Sequence, residues 1–265
     1  MKIGTSAHYS RGDISQQAEA LCELEKAGVD VIWVAESYSF DSPSALGYLA
    51  AVTEKATLAS GILNFYSRTP AALAQTAAGI DALSKGRFML GLGASGPQVV
   101  EGFHSVPYDA PVTRMREVVD ICRKVWKREE KLTYDGNKYH IPLPADQGTG
   151  LGKPLKLINH PYREEIPIAL ATLGEKSVEV TAEIADAWLP TFFMPQKASD
   201  VWGAALQRGS KKRDPSRPPL EIYTGGSVAI GEGLESLRDM ARPQAALYVG
   251  GMGAKEQNFY NQVFR

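Results

Sequence analysis

Cysteine is nearly absent from this chain. Its only two, Cys22 and Cys122, cannot build a disulfide framework and lack the paired spacing of a zinc ribbon. Each sits in an apolar, helix-like stretch, so two buried thiols in a reducing compartment are expected. Neither sign of charge is in excess: 29 Lys and Arg face 30 Asp and Glu, a formal net charge of −1. That removes the electrostatic reason to expect a nucleic acid or an anionic membrane surface as partner. The one compact basic run, Lys211-Lys212-Arg213, is followed at once by Asp214-Pro215 and reads as a solvated turn. No stretch of apolar residues is long enough to span a bilayer, and the opening MKIGTSAHYSRGD lacks the apolar centre of a secretory leader. A cytoplasmic protein without a membrane span is expected. His8, His104, His140 and His160 are widely spaced, with no H-E-x-x-H and no cysteine pair, so no catalytic metal is expected.

What the sequence does contain is an alternation of short apolar runs and helical periods. KIGTSA (2–7), DVIWVAE (30–36), ATLASGI (56–62) and RFMLGLG (87–93) read as strands. The second and fourth are apolar almost throughout, as strands covered on both faces are. Between them lie helical segments. Asp13 and Gln16 have capping-box spacing ahead of Ile14, Ala18, Leu21 and Cys22, with Gly28 as the stop. Ser42-Pro43 and Thr69-Pro70 each read as an N-cap followed by a proline in the first turn. A further helix is expected from about residue 112, its buried face marked by Met115, Val118, Val119, Cys122, Val125 and Trp126. Residues 127–165 break the rhythm and read as an insertion, with a hairpin turn near Asp135-Gly136. The alternation resumes with strands at 166–172, 186–192 and 220–231, and helices at 174–185 and 196–208. Repeated βα units leave two architectures, an open doubly wound sheet or a closed (β/α)8 barrel. Seven strands can be counted, and the chain closes on an amphipathic segment with Phe259, Tyr260, Val263 and Phe264. For a barrel, the last strand is expected to be missing.

GLGASGPQVVEG (91–102) contains G-x-G-x-x-G at Gly91, Gly93 and Gly96. A dinucleotide fingerprint needs a helix opening at that turn and, about 20 residues on, a strand ending in an acid. Here Pro97 follows the third glycine, and TRMREVVDICRKVW has helical period where the strand should be. The remaining reading is a small-residue turn at a strand's C-terminal end, where barrels bind ligands and backbone N–H groups can meet a phosphate. A glycine turn without a ligand stays open beside it.

Four segments in order resemble one family. GRFMLGLGASGPQVVEGFH (86–104), SGILNFYSRTPAALAQTAAGID (60–81), IPIALATLGEKSVEVTAEIADAWLPTFF (166–193) and ALYVGGMGAKEQNFYN (246–261) are similar to the bacterial luciferase-like oxidoreductases, specifically the branch that uses the deazaflavin coenzyme F420. The resemblance implies a single (β/α)8 barrel domain over 1–265, with the insertion after helix 4, usually dimeric. It implies a cofactor at the strands' C-terminal ends. It further implies a bulge with a non-prolyl cis peptide near Gly61, Ile62 and Leu63, Asn64 at the ring edge, and Ala94, Ser95 and Gly96 on the phosphate. Thr172, Gly174 and Glu175 would help hold that phosphate.

Relatives in the F420 branch end the second strand in Asp-His; this chain has Glu36-Ser37. Where the sugar-phosphate dehydrogenases of the family carry a glutamate after the phosphate glycine, Pro97 stands here. Neither catalytic side chain carries over. Glu36, with Ser37 beside it, becomes the candidate for proton handling or ring hydrogen bonding; a structural pair between Glu36 and Arg68 is the competing reading. Glu101 and His104 lie just past the phosphate turn, and Tyr9, Tyr38 and Phe40 are candidates for a substrate wall. GGMG (250–253) reads as a break between helices. The expected activity is hydride transfer between F420 and a small organic substrate. An FMN-dependent luciferase-like monooxygenase and a non-catalytic cofactor-binding barrel are the alternatives.

Overall fold

The computed structural model describes residues 1–7 and 14–226, together with 230–234, 239, 242, 243 and 246. His8, Tyr9, the expected Asp13 cap, GGMG at 250–253 and the segment carrying Phe259 to Phe264 lie outside the described residues. In chain order the elements are β1 (Gly4–Ala7), α1 (Ile14–Lys26), β2 (Val31–Val34), α2 (Ser42–Val52), β3 (Thr57–Ser60), β4 (Leu63–Asn64), α3 (Pro70–Leu83), β5 (Phe88–Gly93) and α4 (Pro97–Val100). They continue with α5 (Pro111–Lys127), β6 (Tyr134–Asp135), β7 (His140–Ile141), β8 (Ile168–Ala171), α6 (Glu175–Ile184), β9 (Ala187–Trp188), α7 (Pro195–Lys212) and β10 (Glu221–Ile222). They form two compact units, residues 1–94 with 109–169, and residues 95–108 with 170–265.

In the first unit the strands run in the order β1-β2-β3-β5, all parallel, with Gly4 opposite Val31, Val31 opposite Thr57 and Leu58 opposite Phe88. The Leu90 N–H donates to the Pro167 carbonyl at 2.8 Å, bringing the chain entering β8 to the free side of β5. All six residues of β5 are buried, as its unbroken apolar run requires. Helices cover these strands. Thr69 caps α3, accepting from the Ala72 N–H at 3.2 Å. The cap of α2 is not Ser42 but Asp41, which accepts from the Ser44 N–H at 2.9 Å. The Ser42 hydroxyl is already committed, donating to the Val34 carbonyl at 3.1 Å. The expected face of α5 is buried throughout, each large side chain contributing about 1.5–3 kcal/mol. Trp126 also donates its indole N–H to the Ala74 carbonyl at 2.9 Å.

The excursion from 127 to 165 contains the expected hairpin, β6 against β7 with Asp135 opposite His140. Its two ends are stitched together: the Leu132 N–H donates to the Leu155 carbonyl at 2.8 Å, and Arg128 Nε to the Leu157 carbonyl at 2.7 Å. At its far end Arg163 clamps the fully buried Asp81 and the Phe88 carbonyl.

In the second unit β9 and β10 pair in parallel, Ala187 opposite Glu221. The strands expected over 186–192 and 220–231 are shorter, two residues each among the described residues. Aromatic packing does the work there. Trp188 and Trp202 meet edge to face at 5.2 Å, and their indoles donate to the Thr172 and Leu173 carbonyls, each at 2.9 Å. In the basic run Lys211 and Lys212 are exposed, as a solvated turn requires, while Arg213 is half-buried and donates to the Ala185 and Pro218 carbonyls, and Lys212 pairs with Glu179. A short helix, α4, opens directly at Gly96, where none was expected before residue 112. Pro97 does not stop it, because proline is well accommodated in a first helical turn. Among the described residues no helix is long and apolar enough to cross a membrane, and no group of His, Cys, Asp and Glu could hold a metal.

Candidate functional site

The third strand is broken where the bulge was expected. β3 pairs with β5 as far as Ala59 and Met89, and β4 resumes opposite Leu92 and Gly93. Between them the Gly61–Ile62 peptide is cis. Ser60 bridges the gap with its side chain, which donates to the Gly91 carbonyl at 2.9 Å and accepts from the Gly91 N–H at 2.8 Å. A Cβ on Gly91 would stand 1.8 Å from the Ser60 carbonyl oxygen. The first glycine of the G-x-G-x-x-G is therefore required by strand packing.

Asn64 follows the break, 5% exposed. Its Oδ1 accepts from the Tyr66 N–H at 2.8 Å, while Nδ2 is buried with no partner among the described residues. A buried amide donor left unmet costs about 1–3 kcal/mol, so this atom marks a place where a ligand acceptor would be accommodated. Gly61 and Ile62 are half-buried beside it in sequence.

Glu36 and Ser37, at the end of β2, are half-buried. The Glu36 carboxylate is fully engaged: Arg68 reaches it through two nitrogens at 2.5 and 3.0 Å, and the Ser42 N–H donates to it at 2.8 Å. The pairing with Arg68 weighed from sequence is thus present. Tyr38 and Phe40 are exposed.

In the second unit, Ser95 is exposed with φ +58°, and Gly96 caps α4 with no side-chain bond. Ala94, directly after β5 and still in the first unit, is half-buried. A Cβ on Gly96 would meet only the Gln98 side chain, at 3.2 Å. Gly174 precedes α6 and is exposed. Glu175 turns its carboxylate to Arg208, at 2.6 Å. Thr181 spends its proton on the Ser177 carbonyl, so the hydrogen bond between Thr172 and Thr181 at 2.8 Å must use the Thr172 proton. Thr172 can then accept from a ligand but not donate to it. Glu101 accepts from the Tyr108 N–H at 3.1 Å, tying down the turn after α4.

A second cluster in the first unit escaped the sequence reading. Asp109 receives Lys138 at 2.6 Å and Arg114 at 2.7 Å, and these bonds hold its carboxyl below the usual carboxylate range. The Tyr66 hydroxyl donates to the Asp109 carbonyl at 2.7 Å. Its members are scattered from residue 66 to residue 138, so no local pattern announces it.

The luciferase-like monooxygenase family matches residues 1–264. The chain belongs to that family. It is 40% identical over 269 residues to "Putative coenzyme F420-dependent oxidoreductase Rv3520c" of Mycobacterium tuberculosis, spanning 100% of this chain and 77% of that one. It is 29% identical over 229 residues to a 5,10-methylenetetrahydromethanopterin reductase of Archaeoglobus fulgidus, spanning 86% of this chain but only 64% of that one. Among solved structures, an F420-dependent secondary alcohol dehydrogenase in complex with an F420-acetone adduct superposes with a TM-score of 0.79 at 19% identity, covering 99% of this chain and 79% of that one. That likeness carries the fold, the luciferase-like α/β barrel class expected from the sequence.

Proposed function

We propose that this luciferase-like protein is a coenzyme F420-dependent oxidoreductase, transferring a hydride between the deazaflavin C5 and a small organic substrate. The observation that carries the reading is the unspent, buried Nδ2 of Asn64, directly after the broken third strand. A heteroaromatic ring with acceptor atoms at its edge fits that donor. The 40% identity to the mycobacterial protein supports the choice of F420 over FMN. When bound, the deazaflavin supplies a two-electron hydride carrier that reacts little with oxygen.

In this reading Gly61 and Ile62 back the ring and Asn64 donates to its edge. Ala94, Ser95 and Gly96 take the phosphate, with Gly174 and Glu175 assisting through backbone N–H groups and Thr172 as an acceptor only. Glu36 and Ser37 are assigned to the proton. Because Glu36 is occupied by Arg68 and the Ser42 N–H, it would take part through that pair. The resemblance also supports a homodimer acting in the cytoplasm.

Fluorescence titration with F420, and separately with FMN, tests the assignment. The expected result is F420 binding at about micromolar or tighter, lost in Gly96→Leu, a substitution that the backbone has room for. Preference for FMN, with oxygen consumption, would move the protein to the monooxygenase reading. F420 binding without hydride exchange would leave a non-catalytic barrel, and binding of neither would overturn the site.

A further inference from the structure

The Asn64 amide has one end spent and, among the described residues, one end free. The Tyr66 N–H holds Oδ1, so the direction in which Nδ2 points depends on where the Tyr66 backbone lies. Tyr66 is itself anchored far from Asn64. Its hydroxyl donates to the Asp109 carbonyl, and the Arg114 guanidinium lies over its ring at 5.4 Å. Arg114 is fixed in turn by two bonds to Asp109 Oδ1, at 3.0 and 2.7 Å, and lies 5.5 Å from the Tyr139 ring centre. Lys138 Nζ completes the cluster on Asp109 Oδ2. Lys138 and Tyr139 sit at the tip of the β6–β7 hairpin. The backbone N–H groups of Asn137, Lys138 and Tyr139 close on the buried carboxylate of Glu117, at 2.7, 3.0 and 3.1 Å.

We propose that Tyr66 is a positioning residue for the cofactor ring, acting through Asn64, and that the hairpin tip holds Tyr66 in place through Asp109, Arg114 and Lys138. This rests on the F420 reading of the site. A buried amide with its oxygen already taken presents only N–H, so the ring atom opposite it is an acceptor: a carbonyl oxygen or an unprotonated nitrogen. A ring's electron affinity rises when a donor sits on such an atom, because the reduced ring carries more charge there. The cluster therefore tunes the bound cofactor without touching it.

The experiment measures F420 affinity and the midpoint potential of the bound cofactor in the wild type, Asn64→Asp, Tyr66→Phe, their double variant and Lys138→Met. Asn64→Asp keeps an acceptor for the Tyr66 N–H and replaces the free donor with a carboxylate oxygen. It should weaken F420 about tenfold or more and move the potential negative. Tyr66→Phe removes the hydroxyl's bond to the Asp109 carbonyl; it should shift both readouts the same way, by less, and Lys138→Met should follow it. In the double variant the loss should equal that of Asn64→Asp alone. Tyr66→Phe lowering only the melting temperature, or adding in full to Asn64→Asp, would overturn the inference. A wild type that binds no F420 would overturn the site reading on which it rests, a distinct result.

Discussion

The Ser60 hydroxyl exchanges two hydrogen bonds with the backbone of Gly91, standing in for the ladder where β3 parts from β5. Both residues are buried, so Ser60→Ala should leave the Gly91 N–H and carbonyl unmet and cost about 2 kcal/mol or more. Gly91→Ala should cost at least about 3 kcal/mol, since backbone must move to admit its Cβ. Gly79→Ala is the contrast. Gly79 lies inside α3 with nothing within 4 Å of its missing Cβ, so alanine should stabilise by about 0.5–1 kcal/mol. Denaturant melts of the three variants check the ordering.

Glu36 and Arg68 should behave as one unit. Their side chains are 9% and 22% exposed, buried enough that removing either partner strands the other. Glu36→Ala and Arg68→Ala should each destabilise the fold, and the double variant should cost less than their sum, with a coupling of about 1–3 kcal/mol. A double-mutant cycle by chemical denaturation reads this directly. Full additivity would mean that the pair is not what holds the end of β2 to the start of α3.

Acid should loosen the packing of α6 on α7 through Glu179. Hydrogen bonds from Lys212 and Arg208 lower its pKa to about 2. The folded value lies below the unfolded one, so the contribution is present above the ordinary carboxylate pKa, about 4.3, and is lost as pH falls toward the folded value. Glu179→Gln should flatten the fall in stability across that window and change little above it. The pair is open to solvent, so salt should shrink the effect. Thermal melts against pH at two ionic strengths test both statements.

The two thiols should separate cleanly. Cys122 is buried and desolvation pushes its pKa up to about 12, whereas Cys22 is half-buried, less sheltered than expected from sequence. In native protein, a thiol reagent should label Cys22 slowly and Cys122 not at all; in denaturant both should react. Labelling of Cys122 at the native rate of Cys22 would contradict the packing of α5.

How much of this was legible depends on how local each cause is. The continuous apolar runs at 31–34 and 88–93 announced covered strands, and Thr69-Pro70 announced α3, because each signal is contained in a few neighbouring residues. Asp41 and Ser42 were harder. Either can cap a helix, and the choice is made by the Val34 carbonyl, which claims the Ser42 hydroxyl from a different element. Pro97 opens α4, but a helix of four residues is too short to show a period in the sequence. The resemblance gave the break at Gly61–Ile62 and singled out Asn64, but not what aims Asn64. Tyr66 and Asp109 are 43 residues apart, and no periodicity links them. Likewise the hairpin turn at Asp135-Gly136 was visible, while its seat on Glu117 was not.

The stitching of the excursion has a consequence for how such a chain can change. Leu132 to Leu155 and Arg128 to Leu157 close the segment on itself, so the entropy of bringing its ends together is met locally and varies only slowly with the length between them. Residues 133–154 are thus an exchangeable cassette. Its length and composition can drift while the strands keep their register, provided that the tip at 137–139 still closes on the buried Glu117 carboxylate, and that tip is the part that reaches Asp109. A barrel built this way separates the inheritance of its scaffold from the adjustment of its chemistry.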